Sequence, residues 1–126
     1  MVRGIDHIEL IVRDVDEFVA FFEAMGFKVL TRTAHHVASV EMQLPGDNQP
    51  IFEIHQVGRE ENIGVNHIAF KVDNAQEAYT DLKGKVKVMR EPNYVQSTGR
   101  TTVNLRDPDG NAIQVGDMKF QLDGKH

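Results

Sequence analysis

The sequence predicts an α+β fold built from two tandem β-α-β-β-β modules. Three observations carry that reading. A strand-like run, Asp6-His7-Ile8-Glu9-Leu10-Ile11-Val12, returns as Asn66-His67-Ile68-Ala69-Phe70-Lys71-Val72, an offset of 67 − 7 = 60 residues. Two shorter runs, Phe52-Glu53-Ile54 and Ile113-Gln114-Val115, repeat at 114 − 53 = 61 residues. Two capping boxes, Asp14 with Glu17 and Asn74 with Glu77, stand 74 − 14 = 60 residues apart, each placing a side-chain acceptor where a helix begins. A repeat that keeps cap, helix and strands in step is a structural duplication.

Each element follows from local pattern. Residues 5–12 are β-branched and alternate, with Ile8, Leu10 and Val12 on one face and His7, Glu9 and Ile11 on the other. After Asp14, the residues Val15, Phe18, Phe22 and Met25 make an apolar stripe at helical spacing, and Gly26 supplies the left-handed stop. Residues 27–33 and 36–44 read as strands joined by the short turn Ala34-His35; Pro45-Gly46-Asp47-Asn48 is a turn, and residues 51–57 a fourth strand. The polar segment 58–64 links this module (about 4–57) to the next (about 65–118). There the order recurs. Residues 65–72 form a strand, and a helix follows with its stripe at Ala75, Ala78, Tyr79 and Leu82 and its stop at Gly84. Strands are predicted at 85–90, 100–106 and 111–117, with a loop over 91–99, the turn Asp107-Pro108-Asp109-Gly110, and a tail from Met118.

With 126 residues the chain is expected to be a single domain, long enough to bury roughly two-thirds of its extended-chain surface. The net charge of −5 gives no basis for nucleic acid or an anionic membrane as partner. The absence of cysteine removes disulfides, thiolate ligands and a thiol nucleophile. No apolar run approaches the ~20 residues that span a bilayer, and the first residues lack a signal-peptide apolar region. The expectation is a cytoplasmic protein.

Duplication also predicts a site. One helix covers one face of each module's strands, through Ile8, Leu10, Phe52 and Ile54 and through Ile68, Phe70, Ile113 and Val115. Alternation then sends His7, Glu53, His67 and Gln114 to the uncovered face. A pseudo-two-fold, half-barrel-like sheet with helices on the outside would bring the four together in a trough. Two imidazoles, a carboxylate and an amide oxygen suit a divalent metal: Zn²⁺, Ni²⁺, Co²⁺, Mn²⁺ or Fe²⁺. A lone strand histidine is more often merely hydrogen-bonded; the repeat is what separates His7 and His67 from that ordinary case. Glu9 shares the face of His7 as an outer support or a solvated charge. His55 shares the face of Glu53 and is a substrate-contact candidate. His35, His36 and His126 have no repeat partner.

The repeated openings Asp6-His7-Ile8 and Asn66-His67-Ile68-Ala69-Phe70, the duplicated β-α-β-β-β pattern and the closing Asp107-Pro108-Asp109-Gly110-Asn111 resemble the vicinal oxygen chelate superfamily over nearly the whole chain. That superfamily includes glyoxalase I, methylmalonyl-CoA epimerase, extradiol dioxygenases, fosfomycin-resistance transferases and bleomycin-binding proteins. The resemblance specifies fold better than reaction. It implies metal ligands from the first and last strands of the two modules: His7, Glu53, His67 and Gln114. The last of these is usually Glu in the enzymes. Gln114 cannot take a proton, which leaves Glu53 as the one carboxylate of the set and the catalytic candidate.

The expected function is therefore a metal-dependent lyase or isomerase of glyoxalase type. It would act on a small oxygen-chelating substrate through an enolate-type intermediate. Arg100, Thr102 and Asn104, inward by alternation, are substrate-binding candidates, with Arg100 suited to an anionic group or else a solvated strand-end charge. The 93–99 loop would lie over the trough. The alternatives are a non-catalytic small-molecule or antibiotic binder of the bleomycin-resistance type, and an extradiol-type dioxygenase. A homodimer is expected.

Overall fold

Two successive β-α-β-β-β units are present in the computed structural model, which describes residues 1–33, 38–96 and 99–117. The expected turn at Ala34-His35, together with His36, His126 and the tail from Met118, lies outside the described residues. The first unit contains β1 (Val2–Val12), α1 (Val15–Ala24), β2 (Lys28–Thr33), β3 (Ser39–Gln43) and β4 (Ile51–Gln56). The second contains β5 (Gly64–Val72), α2 (Ala75–Leu82), β6 (Lys87–Val95), β7 (Arg100–Arg106) and β8 (Ala112–Asp117). The α+β class and the element order are as the sequence predicts. By compactness the chain divides into residues 6–68 and residues 1–5 with 69 onward, so β1 and β5 are each split between the two bodies. Neither helix is long and apolar enough to cross a membrane.

In the body formed by residues 6–68, the strand order is β2-β3-β4-β1, with β1 parallel to β4 and the other pairs antiparallel. The Asp14 side chain accepts the Glu17 N–H at 3.2 Å and starts α1. A cap of this kind stabilises a helix by about 1 kcal/mol. Gly26 follows the helix at φ +100°, in the region open to a residue without a Cβ. The apolar face of α1 differs at two positions from the predicted stripe: Val19 joins it and Met25 leaves it. Val15, Val19 and Phe22 are buried, whereas Met25 is 50% exposed. Met25 is the C-cap residue, so it has left the face that its helical spacing assigns to it. Under α1 lie Leu10, Val12, Val40, Met42, Phe52 and Ile54. The rings of Phe22, Phe27 and Phe52 meet with centroids 4.9–5.4 Å apart, a spacing at which aromatic pairs attract beyond simple area burial.

In the second body β8, β7 and β6 are successive neighbours. The Asn74 side chain accepts the Glu77 N–H at 2.9 Å and starts α2. Ala75 and Ala78 pack on Val72, Val103, Leu105 and Val115. One prediction fails here. The expected 91–99 loop is strand as far as Val95, because β6 runs on through Pro92. β6 is last in the strand order, and its pairing with β7 shifts register between Arg90 and Asn93. An edge strand at a bulge tolerates the proline's missing N–H. The extension takes residues 93–95 out of the proposed covering loop and pairs them with residues 100–102.

Candidate functional site

Strand alternation builds the site. With Leu10, Val12, Val40, Met42, Phe52 and Ile54 committed to α1, the opposite face receives His7, Glu9, Glu41, Glu53 and His55. Register places Glu9 beside Glu53 across the β1–β4 pair, and Glu41 beside Glu53 across the β3–β4 pair. Three glutamates thus form one row on three adjacent strands. They border a cavity of about 220 Å³, together with His55, Thr31 and Thr33.

His7 is only 8% exposed. Its Nδ1 lies 2.7 Å from Oδ2 of Asp6, whose side chain is fully buried. That carboxylate favours the tautomer with the proton on Nδ1 and leaves the Nε2 lone pair outward, as a ligating imidazole requires. Nε2 of His67 stands 3.0 Å from Nε2 of His7, with the rings edge to face. The distance suits an N–H···N bond, and it equally suits two nitrogens on one ion. With bonds of about 2.1 Å, two ligands at a right angle are about 3.0 Å apart and two opposed ligands about 4.2 Å. Glu53 Oε1 lies 4.0 Å from His7 Nε2, inside that span. The donor set therefore fits a divalent ion in chemistry and in the spacing of its two imidazoles. Among the described residues no group of three such side chains is drawn together as a closed metal cluster. Closing one requires Glu53 to move in.

The surroundings tune these groups. Burial raises the Glu53 carboxyl above its ordinary value; His7 opposes the shift, while Glu9, Glu41 and Asp6 reinforce it. Burial likewise raises Glu41, again against His7 and with Asp6. Burial lowers His67, helped by His7 and His55 and opposed by Glu9. A lowered imidazole stays neutral and available to a metal near neutral pH.

Glu9 takes an outer position. Its Oε2 accepts the Asn66 side-chain N–H at 2.6 Å and lies 3.4 Å from His55 Nδ1, while Oε1 lies 4.0 Å from His67 Nδ1. His55 lines the cavity, but both its ring nitrogens face carboxylates, since Nε2 lies 3.2 Å from Glu61 Oε2.

Of the sequence-derived ligands, His7, Glu53 and His67 fall in the body of residues 6–68. Gln114, on β8 in the other body, donates its amide N–H to Asn104 Oδ1 at 3.2 Å. Thr102 and Asn104 alternate with Val103 and Leu105, which pack toward α2, and so lie on the strand face away from that helix. Arg100 is 7% exposed and its Nε donates to the Asp117 carbonyl at 2.9 Å, which rules out a solvated strand-end charge. Gly116 makes room for it: a Cβ there would stand 3.2 Å from the guanidinium.

Three residues of this neighbourhood escape the sequence reading. Glu41 was accessible to it, because alternation from Val40 and Met42 on β3 assigns its face. Asp6 and Glu61 had no periodic signal: Asp6 precedes His7 on the strand and reaches it sideways, and Glu61 arrives from the segment between β4 and β5.

A sequence profile described as the Glyoxalase/Bleomycin resistance protein/Dioxygenase superfamily matches residues 4–115. No curated protein matches the sequence. Among solved structures, a variant of Streptomyces coelicolor methylmalonyl-CoA epimerase in complex with 2-nitronate-propionyl-CoA aligns with TM-score 0.71 at 23% identity, over 93% of this chain and 98% of that one. Methylmalonyl-CoA epimerase from Mycobacterium tuberculosis aligns with TM-score 0.72 at 16% identity, over 98% and 93%. The 2,2',3-trihydroxybiphenyl 1,2-dioxygenase of Sphingomonas wittichii aligns with TM-score 0.66 at 17% identity, over 90% of this chain and 42% of that one. Identities this low establish likeness of fold.

Proposed function

Because the chain belongs to the Glyoxalase/Bleomycin resistance protein/Dioxygenase superfamily, we propose that it is a metal-dependent isomerase or lyase. It moves a proton on a small substrate bearing two adjacent oxygens, through an enolate-type intermediate. The observation that carries this reading is the 3.0 Å approach of His7 Nε2 and His67 Nε2, with Glu53 at 4.0 Å from the first. His7, His67 and Glu53 would hold the ion. Gln114 enters the donor set through the sequence repeat alone. A bound divalent ion supplies the electrophile that polarises the substrate's oxygens and steadies the charge left when a neighbouring C–H proton departs.

The chain's own residues supply the rest. Asp6 keeps the His7 proton on Nδ1. Glu53, if engaged as a ligand, is a poor base, and the proton then goes to Glu41, the next carboxylate in the row. Burial that raises the Glu41 carboxyl brings it nearer to working pH, where a general base is most effective. Asn104 and Gln114, the matching pair on β7 and β8, are amides and take no proton. One base that takes and returns a proton suits a same-face isomerisation better than a two-base inversion.

The second reading, a non-catalytic binder, draws support from that amide pair, which is satisfied by its own hydrogen bond. One experiment separates the two. Native mass spectrometry counts bound metal, and solvent deuterium uptake is followed beside the carbonyl of a 2-oxo or thiohemiacetal probe. The enzyme reading expects one divalent ion per chain, lost in His67→Ala, and exchange that disappears in Glu41→Gln. A protein that takes up no metal and exchanges no proton is a binder.

A further inference from the structure

Strand register lays the floor of the cavity in two rows. The β2–β3 and β3–β4 pairs set Thr31 opposite Glu41 and Glu41 opposite Glu53. Two residues along, they set Thr33 opposite Ser39 and Ser39 opposite His55. Residues two apart on a strand share a face, so the rows are neighbours on the side that α1 leaves open. All of these residues border the cavity of about 220 Å³ and lie in the body of residues 6–68.

This wall is one-sided in what it offers a ligand. Among the described residues that border the cavity, none is a lysine or an arginine. An ionised carboxylate accepts hydrogen bonds and donates none, whereas a serine or threonine hydroxyl does either. His55 turns both ring nitrogens to carboxylates, Nδ1 to Glu9 at 3.4 Å and Nε2 to Glu61 at 3.2 Å. A ligand seated here must bring its own donors. A carboxylate or phosphate on it would meet the half-buried Glu41, where like charges are little screened by salt. The volume sets a second limit, since 220 Å³ falls below the roughly 300–1,000 Å³ of pockets for drug-sized ligands.

We propose that the substrate group held in this cavity is a short run of hydroxyl-bearing carbons without negative charge, and that Glu41, with Thr31, Thr33 and Ser39, selects it against organic acids. The inference rests on the proposed function, whose site it shares, and narrows the substrate to a small hydroxylated carbonyl compound.

The test uses the full, metal-free chain above neutral pH, so that chelation plays no part. Two four-carbon probes differ at one end: erythritol carries a hydroxymethyl group where erythronate carries a carboxylate. Amide NMR shifts report their binding. Erythritol is expected to shift amides of β2 and β3 and to bind at least about 10-fold more tightly than erythronate, the scale of one like-charge encounter at an effective dielectric constant of about 20. Glu41→Gln is expected to narrow that ratio severalfold; a merely structural effect would move both probes alike. Thr31→Val keeps the β-branched shape on an exposed edge position and should weaken erythritol by about 5-fold, the worth of one hydrogen bond. Equal binding of the two probes, tighter binding of erythronate, or no binding of erythritol to the folded chain overturns the inference. Absence of metal uptake and turnover would remove the proposed reaction and leave the ratio of the two probes to decide the selectivity of the cavity.

Discussion

The same cross-strand place is filled twice in this molecule, with opposite chemistry. In the first unit β3 sets Glu41 opposite Glu53; in the second β7 sets Asn104 opposite Gln114. Both pairs sit on the strand face away from a helix, at matching points of one repeat. The amides solve their own problem, since Gln114 donates to Asn104 at 3.2 Å. The carboxylates cannot, because like charges directly opposite repel, and burial raises both. The openings differ in the same sense. Asp6 serves His7 directly, whereas Asn66 serves Glu9. A duplicated backbone has thus kept its positions and divided its charge, and acid-base capacity is concentrated in the first unit. Packing runs parallel to this: α1 is held by an aromatic group around Phe22, α2 by alanines against aliphatic strands.

Exchanging the charge tests that division. The largest effect is expected from Glu41→Gln, which gives the first unit an amide opposite Glu53. If Glu41 is the proton acceptor, turnover falls by about 10²–10⁴-fold, with metal content unchanged; a turnover that survives moves the base to Glu53 or elsewhere. Next comes His67→Ala, which removes an imidazole proposed to hold the ion. Outer partners of metal ligands cost about 10–100-fold in affinity, so loss of a ligand should exceed that in a cobalt titration, and unchanged affinity would remove His67 from the set. Asp6→Asn gives His7 the residue that precedes His67. An amide no longer enforces the Nδ1 proton, and affinity should weaken by about 10-fold. A value equal to that of the natural chain would mean that Asp6 serves the fold alone.

Much of this comparison was readable before any coordinates. Periodicity and caps placed both helices, because Asp14 and Asn74 announce their starts locally and alternation assigns faces without further information. The same rule delivered His7, Glu53 and His67 to one face. What the sequence withheld depends on geometry that periodicity does not carry. Asp6 meets His7 sideways, Glu61 arrives through a turn with a left-handed residue, and β6 continues through Pro92 because an edge strand forgives a missing N–H. Glu41 is a different case. Its face was implied by Val40 and Met42, but nothing in the pattern says that it stands opposite Glu53; register along a strand pair is settled by pairing, and a slip of one residue would have turned it to the helix side.

The weakest effect expected is on stability, and it sharpens the comparison without any substrate. Burial raises the Glu41 carboxyl above the 4.5 of an unperturbed glutamate. Between 4.5 and the raised value, the folded chain therefore holds more proton at this position than the unfolded chain does. The slope of unfolding free energy with pH follows protons bound unfolded minus protons bound folded, so it is negative in that window. The contribution of Glu41 is fully present below pH 4.5 and is lost as pH rises through its folded-state value. Glutamine has no such slope, and neither does the Asn104–Gln114 pair. The urea midpoint of the metal-free natural chain should thus fall relative to that of Glu41→Gln as pH rises from 4.5. A difference that stays level across the range would mean that the carboxyl titrates alike in both states, and the strain attributed to the glutamate row would have to lie at Glu53 alone.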